Sequence, residues 1–223
     1  MEIIKHTDAD YAEKRARLNR RAAPAPEVEA TVAEILETVR TRGDAGLLEL
    51  TEKFDGATLT AETLRVTEAV MAEARESVSE EVREAVAAAK INVKTFAEES
   101  MRRDRSRTNA QGAEVGERFQ AFERVGIYVP GGSAPLVSTA IMTVTLATAA
   151  GVPQIVVTTP CDAYGKVNSA LLYALGEAGA HEVYKVGGAQ ALGALAYGTA
   201  TIKPVIKVFG PGTAYVMEAK RQV

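Results

Sequence analysis

The chain has 223 residues, of which 47% are apolar and 25% are charged, and its formal net charge is −3. This composition is typical of a globular protein with one large or two small domains, and it argues against intrinsic disorder. The negative charge gives no basic field for nucleic-acid phosphates, so we expect a small-molecule partner. Cys161 is the single cysteine, which excludes an internal disulfide and favours a reducing, cytoplasmic location.

The longest uncharged stretch, residues 125–161, deserves comparison with a membrane span. Prolines, glycines and threonines interrupt it, so no part resembles the run of ~20 apolar residues that a spanning helix needs. We therefore interpret it as buried sheet core and expect no membrane partner.

Charge and glycine are unevenly distributed along the chain. Most charged residues precede residue 121, whereas most glycines follow it. This shift predicts an N-terminal arm over 1–22, a mainly helical lobe over 26–120 that is part of a first α/β domain, and a Rossmann-like domain over 121–223.

The arm ends in a basic cluster and is followed by the linker AAPAP. Two interpretations stay open: the arm packs on another subunit or domain, or it is a solvated helix with a frayed end. The cluster comprises Lys14, Arg15, Arg17, Arg20 and Arg21.

Apolar spacing in the lobe predicts successive helices. One runs from Pro26 to a C-terminal cap at Gly43, and Asp44 then caps a second helix that ends at the turn Asp55–Gly56. We further predict a strand over 64–67 and a helix over 69–75.

Ser77 and Glu80 have the spacing of a capping box, and the helix they would start carries one apolar face as far as Phe96. The basic run at residues 101–112 breaks the helical periodicity and predicts an exposed loop. Too few strands accompany these helices, so we expect their apolar faces to seek another copy of the chain.

The second half alternates strands with helices, which predicts right-handed crossovers and a parallel Rossmann-like sheet of the α/β class. The predicted strands are 125–129, 154–159, 182–186 and 205–209, and the helices are 138–150, 168–178, 190–197 and 214 onward.

Ligands of such sheets bind where the strands end. The four strand ends read YVPGGSAP, TTPCDAYG, VGGAQALG and FGPGTAYV, and three of them place glycines beside a helix start. Exposed backbone N–H groups at such turns suit an anionic or polar ligand. The first of these strand-end turns lies within VGIYVPGGSAP at 125–135, and the second half of the chain is organised around it.

A standard dinucleotide fingerprint is nevertheless missing. No G-x-G-x-x-G follows a strand, and no acidic residue closes the second strand; Asp162 comes nearest, but a plain turn residue is favoured there. Tyr128 and Gln190 stand at strand ends, where they either orient a ligand or serve as a half-buried tyrosine and a helix-capping amide.

Metal and nucleophile chemistry find little support in the sequence. His6 and His181 lack a second ligand at helical spacing, and Cys161 has no neighbouring base, so we interpret it as a loop thiol.

Four strings in order resemble histidinol dehydrogenase, and together they extend the resemblance over essentially the whole chain. They are VRTRGDAGLLELTEKFDG at 39–56, RVGIYVPGGSAPLVSTAIM at 124–142, EVYKVGGAQALGALAYGT at 182–199 and KVFGPGTAYVMEAKRQV at 207–223.

The resemblance implies oxidation of L-histidinol through histidinal to L-histidine with NAD and zinc, in histidine biosynthesis. It also implies an intertwined homodimer with two Rossmann-like domains, of which 121–223 is the NAD-type one. By resemblance, Tyr128, Gln190 and Thr213 line the NAD site, beside glycines of the strand-end turns. These glycines are Gly131, Gly132, Gly188, Gly210 and Gly212.

The chain departs from the family pattern in three ways. Thr213 stands where the family usually has Asn, and Ile206 stands where many members have Asp. Family members continue past EAKRQV, and their zinc ligands and water-activating Glu–His pair lie there. We therefore expect no catalytic or metal residue in this chain, and keep an inactive stand-alone binding or structural module as the alternative.

Overall fold

The computed structural model describes residues 3–18, 26–131 and 135–223. The helices are α1 Tyr11–Leu18, α2 Pro26–Asp55, α3 Ala61–Leu64, α4 Glu68–Ser77, α5 Glu80–Ser100, α6 Val137–Ala149, α7 Ser169–Ala178, α8 Gly188–Tyr197 and α9 Ala214–Gln222. The strands are β1 Arg105–Thr108, β2 Glu114–Glu117, β3 Arg124–Tyr128, β4 Gln154–Thr159, β5 Glu182–Lys185 and β6 Lys207–Phe209.

A four-stranded parallel sheet of order β5-β4-β3-β6 lies at the centre, which confirms the predicted α/β fold. Ile127 of β3 aligns with Val157 of β4 on one side and with Phe209 of β6 on the other. Every residue of β3 is buried, because helices cover both faces of the sheet and leave no solvent-facing side.

Two apolar layers hold those helices on the sheet. One joins α2, α8 and α9 around Leu36, Leu192 and Val216, and the other joins α4, α5, α6 and α7 around Val86, Ile141 and Leu175. The helices of residues 26–100 therefore bury much of the apolar surface that we expected to seek another copy. The proposed division into arm, lobe and second domain stays a prediction.

The break in α2 lies where the sequence predicts it. Gly43 has φ 55° and ψ −132°, a conformation that only glycine adopts easily, so one helix ends and another begins there. Asp44 was predicted to cap the second helix. Its carboxylate instead accepts hydrogen bonds from the Thr201 hydroxyl at 2.7 Å and from the Thr201 N–H at 3.4 Å. Asp44 thereby ties α2 to the segment between α8 and β6.

Two local predictions in the lobe are wrong. Residues 61–64 form the short helix α3 instead of beginning a strand, and only a single antiparallel bridge, from Arg65 to Tyr184, follows it. The helix α5 is capped by Ser79, whose hydroxyl accepts from the Val82 N–H, whereas the Ser77 hydroxyl donates to the carbonyl of Ala74. Ser79 is the N-cap because it directly precedes Glu80, the first residue of α5.

The predicted basic loop over 101–112 is instead part of an antiparallel hairpin, β1–β2. An Arg105–Glu117 ion pair of 2.7 Å crosses the strands, and all eight strand residues are exposed. At the end of α5, Phe96 is 71% exposed, so the predicted apolar face is buried over only part of its length.

The arm contains α1, which has no buried residue, and Lys14 pairs with Asp10 at 3.1 Å. Arg20, Arg21 and most of the AAPAP linker lie outside the described residues. Across the described ranges, no helix has the length and apolarity required to cross a membrane.

Arg124 clamps the amino ends of three strands together. Its guanidinium donates to Gln154 Oε1 of β4 and to both carboxylate oxygens of Glu182 on β5, each at 2.9 Å. This bidentate contact, with a 2.8 Å hydrogen bond from the Tyr184 hydroxyl, lowers the pKa of Glu182 to about 2. This clamp lies at the edge of the sheet opposite the carboxyl ends of the strands.

Candidate functional site

Tyr128 stands at the carboxyl end of β3 and meets the start of α8. It is buried, and its hydroxyl accepts a 3.3 Å hydrogen bond from the Gly188 N–H. Burial raises the pKa of Tyr128, so the phenol is neutral at pH 7 and keeps a proton to donate. The half-buried tyrosine considered from the sequence is therefore a buried one that marks the edge of the site.

Gln190 folds back over the same turn. Gly188 has φ 63°, and a Cβ there would lie 2.5 Å from Gln190 Oε1, so the turn requires glycine for two separate reasons. Gln190 is 1% exposed, and its Nε2 has no hydrogen-bond partner within the described part of the chain. A buried amide without an acceptor is costly, which makes it a natural donor to a polar ligand.

The end of β6 approaches the end of β3 closely. A Cβ on Gly210 would collide with the backbone oxygen of Tyr128, and the ammonium of Lys220 donates to the Gly210 carbonyl. Thr213 follows at the N-cap of α9, where its carbonyl accepts from the Met217 N–H at 2.9 Å. Its side chain makes no capping hydrogen bond among the described residues.

The other predicted glycines occupy neighbouring turns. A Cβ on Gly131 would collide with Pro160, and one on Gly212 would collide with Val216, while Gly132 lies outside the described residues. The structure thus brings Tyr128, Gly188 and Gln190 into one cluster and sets Gly210 against it. The role of these residues in binding a cofactor stays a prediction.

Asp162 is a turn residue, as favoured from the sequence. Its Oδ1 accepts from the N–H groups of Tyr164 and Lys166 at 2.9 and 2.8 Å. Cys161 is partly buried, which raises the pKa of its thiol and suits the loop-thiol interpretation.

The two histidines lie in different settings. His181 Nδ1 accepts a 3.2 Å hydrogen bond from the Ile155 N–H, and His6 is exposed. Within the described ranges, no cluster of three or more His, Cys, Asp or Glu side chains is close enough to hold a metal ion.

Sequence analysis missed Asp55, the last residue of α2, which reaches the same edge of the sheet. Its Oδ2 is buried and makes no well-formed hydrogen bond to any described residue. Burial raises the pKa of Asp55, although the nearby N–H of Gly187 partly counteracts this. The only local signal was the turn Asp55–Gly56, since the packing of α2 on α8 brings this carboxylate to the site.

The strand order places a crevice at this edge. From β3 the chain proceeds to β4 and β5 on one side and returns to β6 on the other, so the loops after β3 and β6 diverge. Ligands of doubly wound sheets bind at such a switch point. Here the hydroxyl of Tyr128, the amide of Gln190 and nearby backbone N–H groups can bind and orient a polar molecule.

Comparisons with known proteins show what the chain is similar to. A family model described as histidinol dehydrogenase matches residues 18–223. A histidinol dehydrogenase of Symbiobacterium thermophilum is 48% identical over 207 residues, which are 92% of this chain and 47% of that protein. One of Rhodopseudomonas palustris is 42% identical over 221 residues, which are 99% of this chain and 51% of that protein.

A crystal structure of histidinol dehydrogenase from Elizabethkingia anophelis superimposes with a TM-score of 0.88 at 34% identity. The match covers 95% of this chain and 48% of that one. The chain therefore spans about half the length of the relatives that it matches.

Proposed function

We propose, since this chain belongs to the histidinol dehydrogenase family, that it supplies the NAD-binding part of an enzyme that oxidises L-histidinol through histidinal to L-histidine. The observation that carries the proposal is the buried amide of Gln190, which lies beside Tyr128 and Gly188 and has no acceptor among the described residues. A polar ligand at the carboxyl edge would supply that acceptor.

The proposed NAD site uses side chains for orientation and glycine turns for close approach. The Tyr128 hydroxyl and the Gln190 amide orient the cofactor, and Thr213 contributes its hydroxyl at the start of α9. The turns that contain Gly131, Gly188, Gly210 and Gly212 present backbone N–H groups, and the proposed site also includes Gly132, which lies outside the described residues. NAD held there would supply the hydride acceptor for oxidation of the alcohol, and the residues of this chain would hold and orient it.

Zinc belongs to the family enzyme by resemblance, but the described residues form no metal cluster that fits it. We therefore assign no catalytic or metal role to this chain and expect the purified polypeptide, supplied with NAD, zinc and histidinol, to form no NADH. Detectable NADH formation would contradict this assignment. We further propose a cytoplasmic homodimer for the enzyme.

The alternative is a stand-alone binding or structural module, and one observation favours it: residues 26–131 and 135–223 bury two apolar layers without any added chain. The two proposals differ in what the natural reading frame encodes beyond Val223, so sequencing the parent gene distinguishes them.

A titration with NAD tests the proposed site directly. We expect amide NMR shifts at residues 128–131, 187–190 and 210–213, with weak affinity because Thr213 lacks the amide of the usual Asn. One lost hydrogen bond costs ~1 kcal/mol, or about a factor of five in affinity. Shifts confined to residues 26–100, or none at millimolar NAD, would show that the site is assigned wrongly.

A further inference from the structure

Lys220 lies in the last turn of α9, and its side chain reaches back to the turn that follows β6. Its ammonium donates a hydrogen bond to the carbonyl of Gly210, the first residue after that strand. Side chains of a helix lean toward its N-terminus, which explains how a residue near the end of α9 contacts one that precedes the helix. None of the roles assigned above uses this lysine.

The ammonium of Lys220 is partly buried without a carboxylate beside it. Burial lowers its pKa, and no carboxylate within the described ranges pairs with it. The neighbouring Arg221 differs, since it pairs with Glu218 and with Glu29 of α2. Burying a cation costs free energy, and a carbonyl offsets that cost less well than a carboxylate does. The charge of Lys220 therefore indicates a use other than packing.

The carbonyl that Lys220 holds belongs to the peptide unit that joins Gly210 to Pro211. A peptide unit is planar, so holding its oxygen fixes the direction in which the chain enters Pro211. The ring of Pro211 then locks the φ rotation of that residue. On the other side, Gly210 lies against the backbone oxygen of Tyr128, with which a Cβ would collide. Only the ψ rotation of Pro211 remains free before the N–H of Gly212.

Two backbone donors follow Pro211 in this turn. The N–H groups of Gly212 and Thr213 donate to no described residue, and Thr213 is the N-cap of α9. Unpaired N–H groups at a helix start are suited to anionic and polar ligands. Donors that are held in the bound orientation before the ligand arrives bind more tightly, because less freedom is lost on binding.

We propose that Lys220 is a positioning residue: its ammonium holds the Gly210–Pro211 peptide so that the N–H groups of Gly212 and Thr213 are set in place to bind NAD. Lys220 acts through Gly210 and not on the cofactor itself. This inference rests on the proposed function, to which it adds a residue that acts from α9 on the turn after β6.

The test is an equilibrium titration of the chain and its variants with NAD, with amide NMR spectra recorded before and after addition. Lys220→Met keeps the aliphatic stem but removes the donor, and Lys220→Arg keeps a charged donor. Lys207→Met is the control, because Lys207 is an exposed lysine on the strand that leads into the same turn. Thermal unfolding confirms that each variant is folded.

We expect Lys220→Met to weaken NAD about fivefold, the effect of one misplaced hydrogen bond. Without NAD, the amide resonances of Gly212 and Thr213 should move in this variant, whereas those of residues 187–190 should not. Lys220→Arg should bind NAD within about twofold of the wild type, because it restores the charge-assisted donor. Lys207→Met should also stay within about twofold, because solvent and salt screen an exposed charge.

A second variant keeps the test decisive if Lys220→Met fails to fold. Pro211→Ala frees the other constraint on the same turn while leaving the lysine in place. It should weaken NAD about threefold, because the donors are then less well ordered before binding.

The outcomes separate this inference from the proposed function. If the wild type binds NAD and Lys220→Met, or Pro211→Ala in its place, binds it equally well, the positioning role is wrong and the proposed function stands. If the wild type binds no NAD, both proposals fall. The positioning role is also overturned if Lys220→Arg binds as weakly as Lys220→Met, or if the amide shifts in Lys220→Met extend equally to residues 187–190.

Discussion

At the scale of single residues, the buried Nε2 of Gln190 has no hydrogen-bond acceptor among the described residues, which costs stability. We predict that Gln190→Met, which keeps the shape but removes the unpaired donor, raises the free energy of unfolding by about 1 kcal/mol and weakens NAD about fivefold. Chemical denaturation and NAD titration measure the two effects.

Gln154→Met is the control, because Gln154 already accepts a hydrogen bond from Arg124. It should lower the free energy of unfolding and leave NAD affinity unchanged. A loss of stability in both variants would mean that the Gln190 amide is satisfied in the folded protein.

Glu182 gives the sheet an acid-sensitive contact. Its folded pKa of about 2 lies below the ordinary 4.5, so the ionised carboxylate stabilises the fold above about pH 5 and this contribution is lost as the pH falls toward 2. We predict that Glu182→Gln costs about 2 kcal/mol at pH 7, and that its difference from the wild type shrinks as the pH falls from about 5 toward 2.

Unfolding titrations at several pH values test this. Glu49→Gln is the control, since its Arg42 ion pair of 2.6 Å is exposed to solvent and should contribute little to stability. A Glu182 variant with the same small, pH-independent effect would show that the clamp at the amino ends is solvent-screened.

The position of Asp55 at the carboxyl edge of the sheet could not be predicted from its local sequence. The positions of Tyr128 and Gln190 at strand ends were predictable because each adjoins a strand-end turn, whose position the alternation of apolar runs predicts. The position of Asp55 depends on how α2 packs against α8, far away in sequence, and nothing in the local pattern encodes that contact.

At the scale of elements, the break in α2 depends on one glycine. A Cβ on Gly43 would meet no atom within 4 Å, so the cost of substitution there is purely conformational. We predict that Gly43→Ala costs about 2 kcal/mol of stability, because φ 55° with ψ −132° is accessible almost only to glycine.

Thermal unfolding measures that cost, and Ala33→Gly on the exposed side of the same helix is a control for helix propensity, expected near 1 kcal/mol. If Gly43→Ala is neutral, α2 is able to straighten, and the Asp44–Thr201 contact should then be lost as well.

Element prediction succeeded where burial leaves a pattern. The strands and helices after residue 124 were located within a few residues because long apolar runs alternate with glycine turns. The β1–β2 hairpin was missed because RSRT and EVGE are exposed on both faces and so lack the alternation of a half-buried strand. The bridge at Arg65 involves one residue pair, which leaves no periodic signal.

At the scale of the whole molecule, an apolar groove of about 510 Å³ lies where β6 and α6 meet the segment before β3. Its lining includes Met101, Phe119, Phe122, Leu146 and Phe209, all of them exposed. We predict concentration-dependent self-association through this groove, which Phe122→Asp should weaken. Sedimentation velocity across a concentration series measures it.

Val70→Lys is the control, because Val70 is a similarly exposed apolar residue on α4, outside the groove. It should associate as the wild type does. A wild-type chain that sediments as a monomer at the highest concentration would contradict the prediction. The groove would then no longer support the proposed homodimer.

The strand order β5-β4-β3-β6 also constrains how the chain folds as it leaves the ribosome. β3 is the first strand of the sheet to be synthesised, yet one of its two neighbours, Lys207–Phe209, is the last. Until that segment emerges, one edge of the most buried strand has no backbone partner. The nascent chain therefore completes this sheet only after residues 207–209 have emerged, and until then that edge is open to pairing with another chain.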